Sequence, residues 1–451
     1  HRARTTLESA HIDMSRKVFS VLLVALGAAL CGGCSLYTDV EVSPLLLLPS
    51  NVERGGDIDS MLAKADYLRA MELGPIYDAR PRVSAEDMAA LGRVYLAAGR
   101  FDQARTRLRS ALDREPSRAT YAQVAWDLSQ VEYMSNNYES SLDWALIAQQ
   151  RGLNIRQWHL EYLKALSKVA VYQFSGESDA RLSFAFGRPD VPRIRARING
   201  KHDSEAIIDS GAVLSIISQR FAATIKARSL GSFEGTFYGL LGEPITVRFA
   251  ILESLELGGI TIRNVPVAIM PDEKMSFLTS KGQEKVFHID LLLGTNLLKE
   301  FRIELDFSAS KVTLTKLLDR QPAADQNIFF AGFRPHVRGA VNRKGWFLFI
   351  LDTGSEITFL NESRLSSLPV RRLAAGAHSA MLQGLGGSMK RGSKLEDVEL
   401  GLDKWSGRFK TLPMYLAGNQ DQSVGIIGQN FLRNFNVIVD FGRMRVDLKR
   451  R

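Results

Sequence analysis

Ile207-Ile208-Asp209-Ser210-Gly211-Ala212 and Ile350-Leu351-Asp352-Thr353-Gly354-Ser355 decide the fold. They lie 143 residues apart and read as the same sentence: two branched apolar residues, an Asp, a hydroxyl residue and a Gly. Upstream the offset holds without a gap, aligning Ile194-Arg195-Ala196-Arg197-Ile198-Asn199 with Val337-Arg338-Gly339-Ala340-Val341-Asn342. Downstream, apolar-rich stretches Val213–Ile217 and Glu356–Leu360 follow each motif. Later, Leu292-Leu293-Gly294-Thr295-Asn296 parallels Ile426-Ile427-Gly428-Gln429-Asn430, now at an offset of 134. The shorter offset means that the first copy has longer loops in its middle. Alternating apolar residues, glycines and turns mark the whole stretch as β, and self-similarity at this spacing marks it as a duplication.

Two aligned Asp-Ser/Thr-Gly motifs, each followed by apolar-apolar-Gly-x-Asn, resemble the retropepsin-like and pepsin-like aspartic proteases. The resemblance covers about residues 192 to 451, as lobes 192–318 and 333–451. It implies an all-β bilobal acid-protease fold with Asp209 and Asp352 as the catalytic pair. Ser210, Gly211, Thr353 and Gly354 would support the active-site loops, the two hydroxyls bonding across to the partner loop. The chemistry accounts for the pair. Two carboxyls held close cannot both ionise, so one stays protonated while the other acts as a base toward water. The glycines permit a tight loop and close backbone approach. A flap is expected between the motifs of each copy. Phe237-Tyr238-Gly239 aligns with Leu382-Gln383-Gly384 at an offset of 145, making Tyr238, Gly239, Gln383 and Gly384 flap and substrate-binding residues. Asp306 and Asp440, also paired by the repeat, read as turn or salt-bridge residues.

The chain has 451 residues, 45% hydrophobic and 24% charged, which excludes a mostly disordered or polytopic membrane protein. Its net charge of +9 comes from scattered basic residues without aromatic interleaving, so no nucleic-acid partner is expected. Its only cysteines are Cys31 and Cys34; no disulfide or cysteine-based zinc site forms beyond them. The seven histidines show no metal spacing, and no Gly-x-Ser-x-Gly elbow or phosphate loop occurs. No metal or cofactor is expected.

Residues 1–34 read as an upstream extension and export signal. Arg16-Lys17 precedes the apolar run Val18–Leu30, then Cys31-Gly32-Gly33-Cys34. The small pair before Cys34 resembles a bacterial lipoprotein site, with Cys34 lipidated and the protein exported, periplasmic or membrane-anchored. Residues 35–56, with Pro44, Pro49 and Gly55-Gly56, read as a linker. Residues 57–175 read as helical. Leu91-Gly92, Tyr95, Gly99, Phe101, Ala104 and Pro116 resemble a tetratricopeptide repeat, with a fainter copy 37 residues on at Leu128, Asn136, Tyr138, Ser141 and Ala148. That region is expected to offer a surface to a protein partner and to carry no chemistry.

The reading is an aspartic endopeptidase acting on peptide or protein. Its rivals are a non-catalytic peptide-binding or scaffold lipoprotein, and a protease whose copies pair between chains.

Overall fold

The computed structural model describes residues 28–29, 40–47, 58–63, 66–78, 80, 82–186, 190–239, 242–277, 287–371, 380–383, 389–416 and 423–451. Cys34, Gly384 and nearly all of the 1–34 segment lie outside the described residues, so the structure gives no account of the export signal.

A run of helices precedes the main β region: α1 (Ile58–Ala63), α2 (Tyr67–Glu72), α3 (Gly74–Asp78), α4 (Ala85–Ala97), α5 (Phe101–Leu112), α6 (Arg118–Met134), α7 (Tyr138–Gln150) and α8 (Gln157–Leu166). α4 and α6 begin on serine caps, Ser84 and Ser117, each accepting an amide N–H from the first turn. α4 with α5, and α6 with α7, form antiparallel hairpins. The turns carry Gly99 (φ 69°) and Asn136 (φ 60°), left-handed positions suited to those residue types. Within the second hairpin, the Ser129 and Ser141 hydroxyls donate to each other's carbonyls at 2.7 and 2.9 Å.

Both hairpin turns dock on the β region. Arg100 donates to the Gln326 side chain and to the Pro322 and Ala323 carbonyls, and Gln326 donates back to the Ala98 carbonyl. At the second turn, Asn136 accepts from Lys299 at 2.7 Å and donates to Glu300 at 3.0 Å. Buried residues of the helices, such as Leu91, Leu108, Val131 and Leu163, share one continuous core with those of the β region. The helices are therefore a layer of the same body.

In the β region the strands around the two Asp motifs pair alike. Pro192–Ile198 pairs antiparallel with His202–Ile208, which runs parallel to Leu291–Leu293. Arg334–Val341 pairs antiparallel with Lys344–Leu351, which runs parallel to Gly425–Ile427. The Asp motifs leave the ends of the middle strands, His202–Ile208 and Lys344–Leu351. Ser215–Ser218 and Phe359–Asn361 follow them, close to the stretches that the pattern predicts. Phe301–Asp306 and Phe435–Asp440 pair antiparallel, joining the copies edge to edge. Asp306 and Asp440 each close a turn by accepting two backbone N–H groups.

One expectation needs correction. Within the 35–56 stretch read as a linker, Val40–Pro44 is a strand paired with Trp405–Phe409. The alternation of half-buried Val40 and Val42 with exposed Glu41 and Ser43 suits an edge position. Pro44, which has no N–H to give, stands at its end. Among the described residues no helix is long and apolar enough to cross a membrane.

Candidate active site

The Asp209 and Asp352 loops meet face to face through a reciprocal set of hydrogen bonds. The Ser210 hydroxyl donates to the Leu351 carbonyl at 2.7 Å and accepts the Thr353 amide at 3.1 Å. The Thr353 hydroxyl donates to the Ile208 carbonyl at 2.6 Å and accepts the Ser210 amide at 3.1 Å. All four bonds are buried, and each crosses from one copy to the other. The loops approach so closely that a Cβ built on Gly211 would lie 2.5 Å from Cγ of Asp352. A Cβ on Gly354 would lie 2.5 Å from Cγ of Asp209. No residue but glycine fits at either place without displacing a carboxyl.

Behind each loop stands a clamp that the sequence marks only as Gly-x-Asn. Asn296 Oδ1 accepts the Ser215 amide and hydroxyl, and its amide group donates to the Tyr172 hydroxyl and the Pro266 carbonyl. In the second copy Asn430 accepts the Thr358 amide at 2.7 Å. Thr295 donates to the Ser210 carbonyl, and Gln429 to the Thr353 carbonyl. These four side chains bond buried backbone groups in and beside the two loops.

Both carboxyls have no exposed surface. Oδ1 of Asp209 accepts the Ala212 amide, and Oδ1 of Asp352 the Gly354 amide. Oδ2 of each is buried and takes no N–H donor among the described residues. Burial pushes Asp209 up to about 6, against the pull of those amides. Asp352 is raised well above the usual carboxylate range by burial, with the charge of Asp209 adding to it. Burial raises both carboxyls, and the charge of one further raises the other, so the two titrate as a pair.

A residue that the sequence reading missed also acts on both. Arg334, 1% exposed, pulls both carboxyls downward through its charge. The 143-residue offset pairs Arg334-Pro335 with Val191-Pro192. An arginine where the first copy has a buried valine was the available signal. Replacing Arg334 by Met removes the charge and lets both carboxyls rise. The acid limb of any activity governed by the pair then moves to higher pH, as a pH–rate profile of both proteins would read.

The flap residues are divided. Gly235–Tyr238 pairs with Pro244–Val247, and Ala380–Gln383 with Met389–Gly392, so each copy has a hairpin at the expected place. Gly239 donates its amide to the Glu243 carbonyl. Gln383 ends its strand, and neither its side chain nor Gly384 is among the described residues. Tyr238 does have a partner, in the residue just before α8: its hydroxyl lies 3.4 Å from Nη2 of Arg156. Among the described residues no three or more His, Cys, Asp or Glu side chains converge as a metal site requires.

Residues 194–297 match a family described as Aspartyl protease. The matched stretch runs from the strand before Asp209 to the Asn296 clamp. The chain is also similar to solved aspartic protease structures. A retropepsin-like aspartic protease from Rickettsia conorii shows 18% identity over 32% of this chain and 96% of its own, with a TM-score of 0.20. An aspartic proteinase from Irpex lacteus shows 10% identity over 60% of this chain and 97% of its own, with a TM-score of 0.31. No curated protein matches the chain.

Proposed function

We propose that the chain is an aspartic endopeptidase that hydrolyses peptide bonds with a water activated between Asp209 and Asp352. The observation that carries this reading is the reciprocal Ser210–Thr353 lock. It joins the loops of two buried carboxyls within one chain, which supports a site completed by a single chain. The family match over residues 194–297 supports it independently.

Asp209, ionised above about pH 6, takes a proton from the water as its oxygen attacks the scissile carbonyl carbon. Asp352 holds a proton and donates it toward the carbonyl oxygen. The tetrahedral intermediate then collapses: the amide nitrogen leaves with the proton that Asp209 took from the water, a hydroxyl of the intermediate returns a proton to Asp352, and no covalent enzyme adduct forms.

The test is cleavage of a mixed peptide library by the full chain, read by mass spectrometry, with and without a statine-type transition-state analogue. Internal cuts abolished by the analogue support the reading. Saturable peptide binding with no cut at any pH from 4 to 8 overturns it in favour of a binding module.

A further inference from the structure

The hairpin that follows the Asp209 motif is bound along one side by α8 and by the residue that precedes it. Trp158 stacks on Phe249 at 6.0 Å and meets Phe237 edge-on at 5.9 Å. Tyr162 lies 4.6 Å from Phe249, and Phe233 closes the cluster at 5.4 Å. A Cβ on Gly235 would approach the Trp158 ring to 3.2 Å, so the strand is laid directly on that ring. At the far end of the strand, Arg156 donates to the Tyr238 hydroxyl. Its guanidinium carbon stands 5.7 Å from the Tyr238 ring centre.

Two further facts give this attachment a direction. Neither carboxyl has exposed surface, so a peptide reaches them only after some part of the surrounding structure moves. The contacts also differ along the strand. Phe237 and Phe249 are buried in the common core, whereas Arg156 and Tyr238 are only half-buried. The aromatic cluster is a fixed root; the Arg156–Tyr238 contact is a single, solvent-edged tie near the hairpin's outer end. A cation and a phenol in such a setting hold each other weakly and reversibly.

We propose that Arg156 is a positioning residue for the first flap: it ties Tyr238 to the helical layer, and substrate entry requires that tie to break. The helical region thereby sets the resting position of a protease flap. This rests on the proteolytic reading for its kinetic consequence, and on the contact geometry alone for its structural one.

The experiment compares the full chain with its Arg156→Ala and Arg156→Lys variants in two measurements. Hydrogen–deuterium exchange reads peptides covering 235–239 and 243–247. Arg156→Ala is expected to exchange there severalfold faster, with residues 157–166 unchanged, and Arg156→Lys to fall between. Cleavage kinetics are expected to show kcat/KM raised about 3- to 10-fold in Arg156→Ala, mainly through KM, with Lys restoring part of the restraint. Unchanged exchange overturns the tie whether or not the protein cleaves peptides. Faster exchange with lower kcat/KM also overturns it, because the contact would then be assisting substrate. Faster exchange in a protein without any cleavage leaves the tie standing and removes the proteolytic reading instead.

Discussion

Asp209→Asn and Asp352→Asn each reduce cleavage by at least about 10³-fold, while Asp209→Asn melts at a higher temperature than the parent at pH 8. The catalytic loss follows from the division of labour: an amide neither accepts a proton from water nor donates one to a carbonyl oxygen. The stability gain has a definite sign. Asp209 rises from an ordinary 3.8 to about 6 on folding, so the folded state holds its proton more tightly than the unfolded chain. The resulting penalty is absent below about pH 3.8, accrues as pH rises, and is full above about pH 6. Asparagine keeps an oxygen for the Ala212 amide and carries no charge, so its advantage grows over that interval and vanishes in acid. Melting curves at pH 4 and 8 alongside steady-state rates check both halves. Full activity in either variant, or an Asn variant that is less stable at pH 8, contradicts the shared site.

Ser210→Ala and Thr353→Val have the largest expected cost to stability. Each hydroxyl serves one carbonyl and one amide of the opposite loop, and all of these groups are buried. Deleting a hydroxyl leaves two buried backbone groups of the opposite loop without that partner. At about 1–3 kcal/mol for each such group, either variant loses about 2–6 kcal/mol. The double variant loses less than the sum, because the two hydroxyls are themselves 3.3 Å apart and share one network. Urea denaturation gives the stability. Activity should fall in step, since the bonds that tie the loops also fix the distance between the carboxyls. A double variant as stable as the parent would mean that the loops are held from behind, by Asn296 and Asn430.

Much of the candidate site is legible in the sequence because the chain states it twice. Asp209 with Asp352, Ser210 with Thr353 and Gly211 with Gly354 fall at one offset, and the contacts between them are contacts between equivalent residues. Departures from the repeat were harder to see. Arg334 hides at a place where its counterpart is Val191, and a lone arginine at the head of a strand has no periodicity to betray it. Asn296 and Asn430 were visible as a motif, but their work on the Ser215 and Thr358 amides is long-range. The helical layer was read as free of chemistry because Arg156, Trp158 and Tyr162 show only an ordinary helical pattern. Their partners, Tyr238, Phe237 and Phe249, stand about 80 residues away in another kind of structure. Val40–Pro44 was masked by the prolines that make its surroundings look like a tether.

That short strand has a consequence for the order in which the molecule assembles. Its Ser43 meets Ser406 across 363 residues of chain, so the helices and the whole first copy are strung between the two halves of one strand pair. During synthesis Val40–Pro44 emerges long before Trp405–Phe409 exists and must wait unpaired. Closing so large a loop confers little until the second copy has folded around its own core. The pairing thus forms late, as a seal on a finished protein. A chain truncated before residue 405 is left with an unmatched strand at its beginning, a ready handle for quality-control proteases and for aggregation.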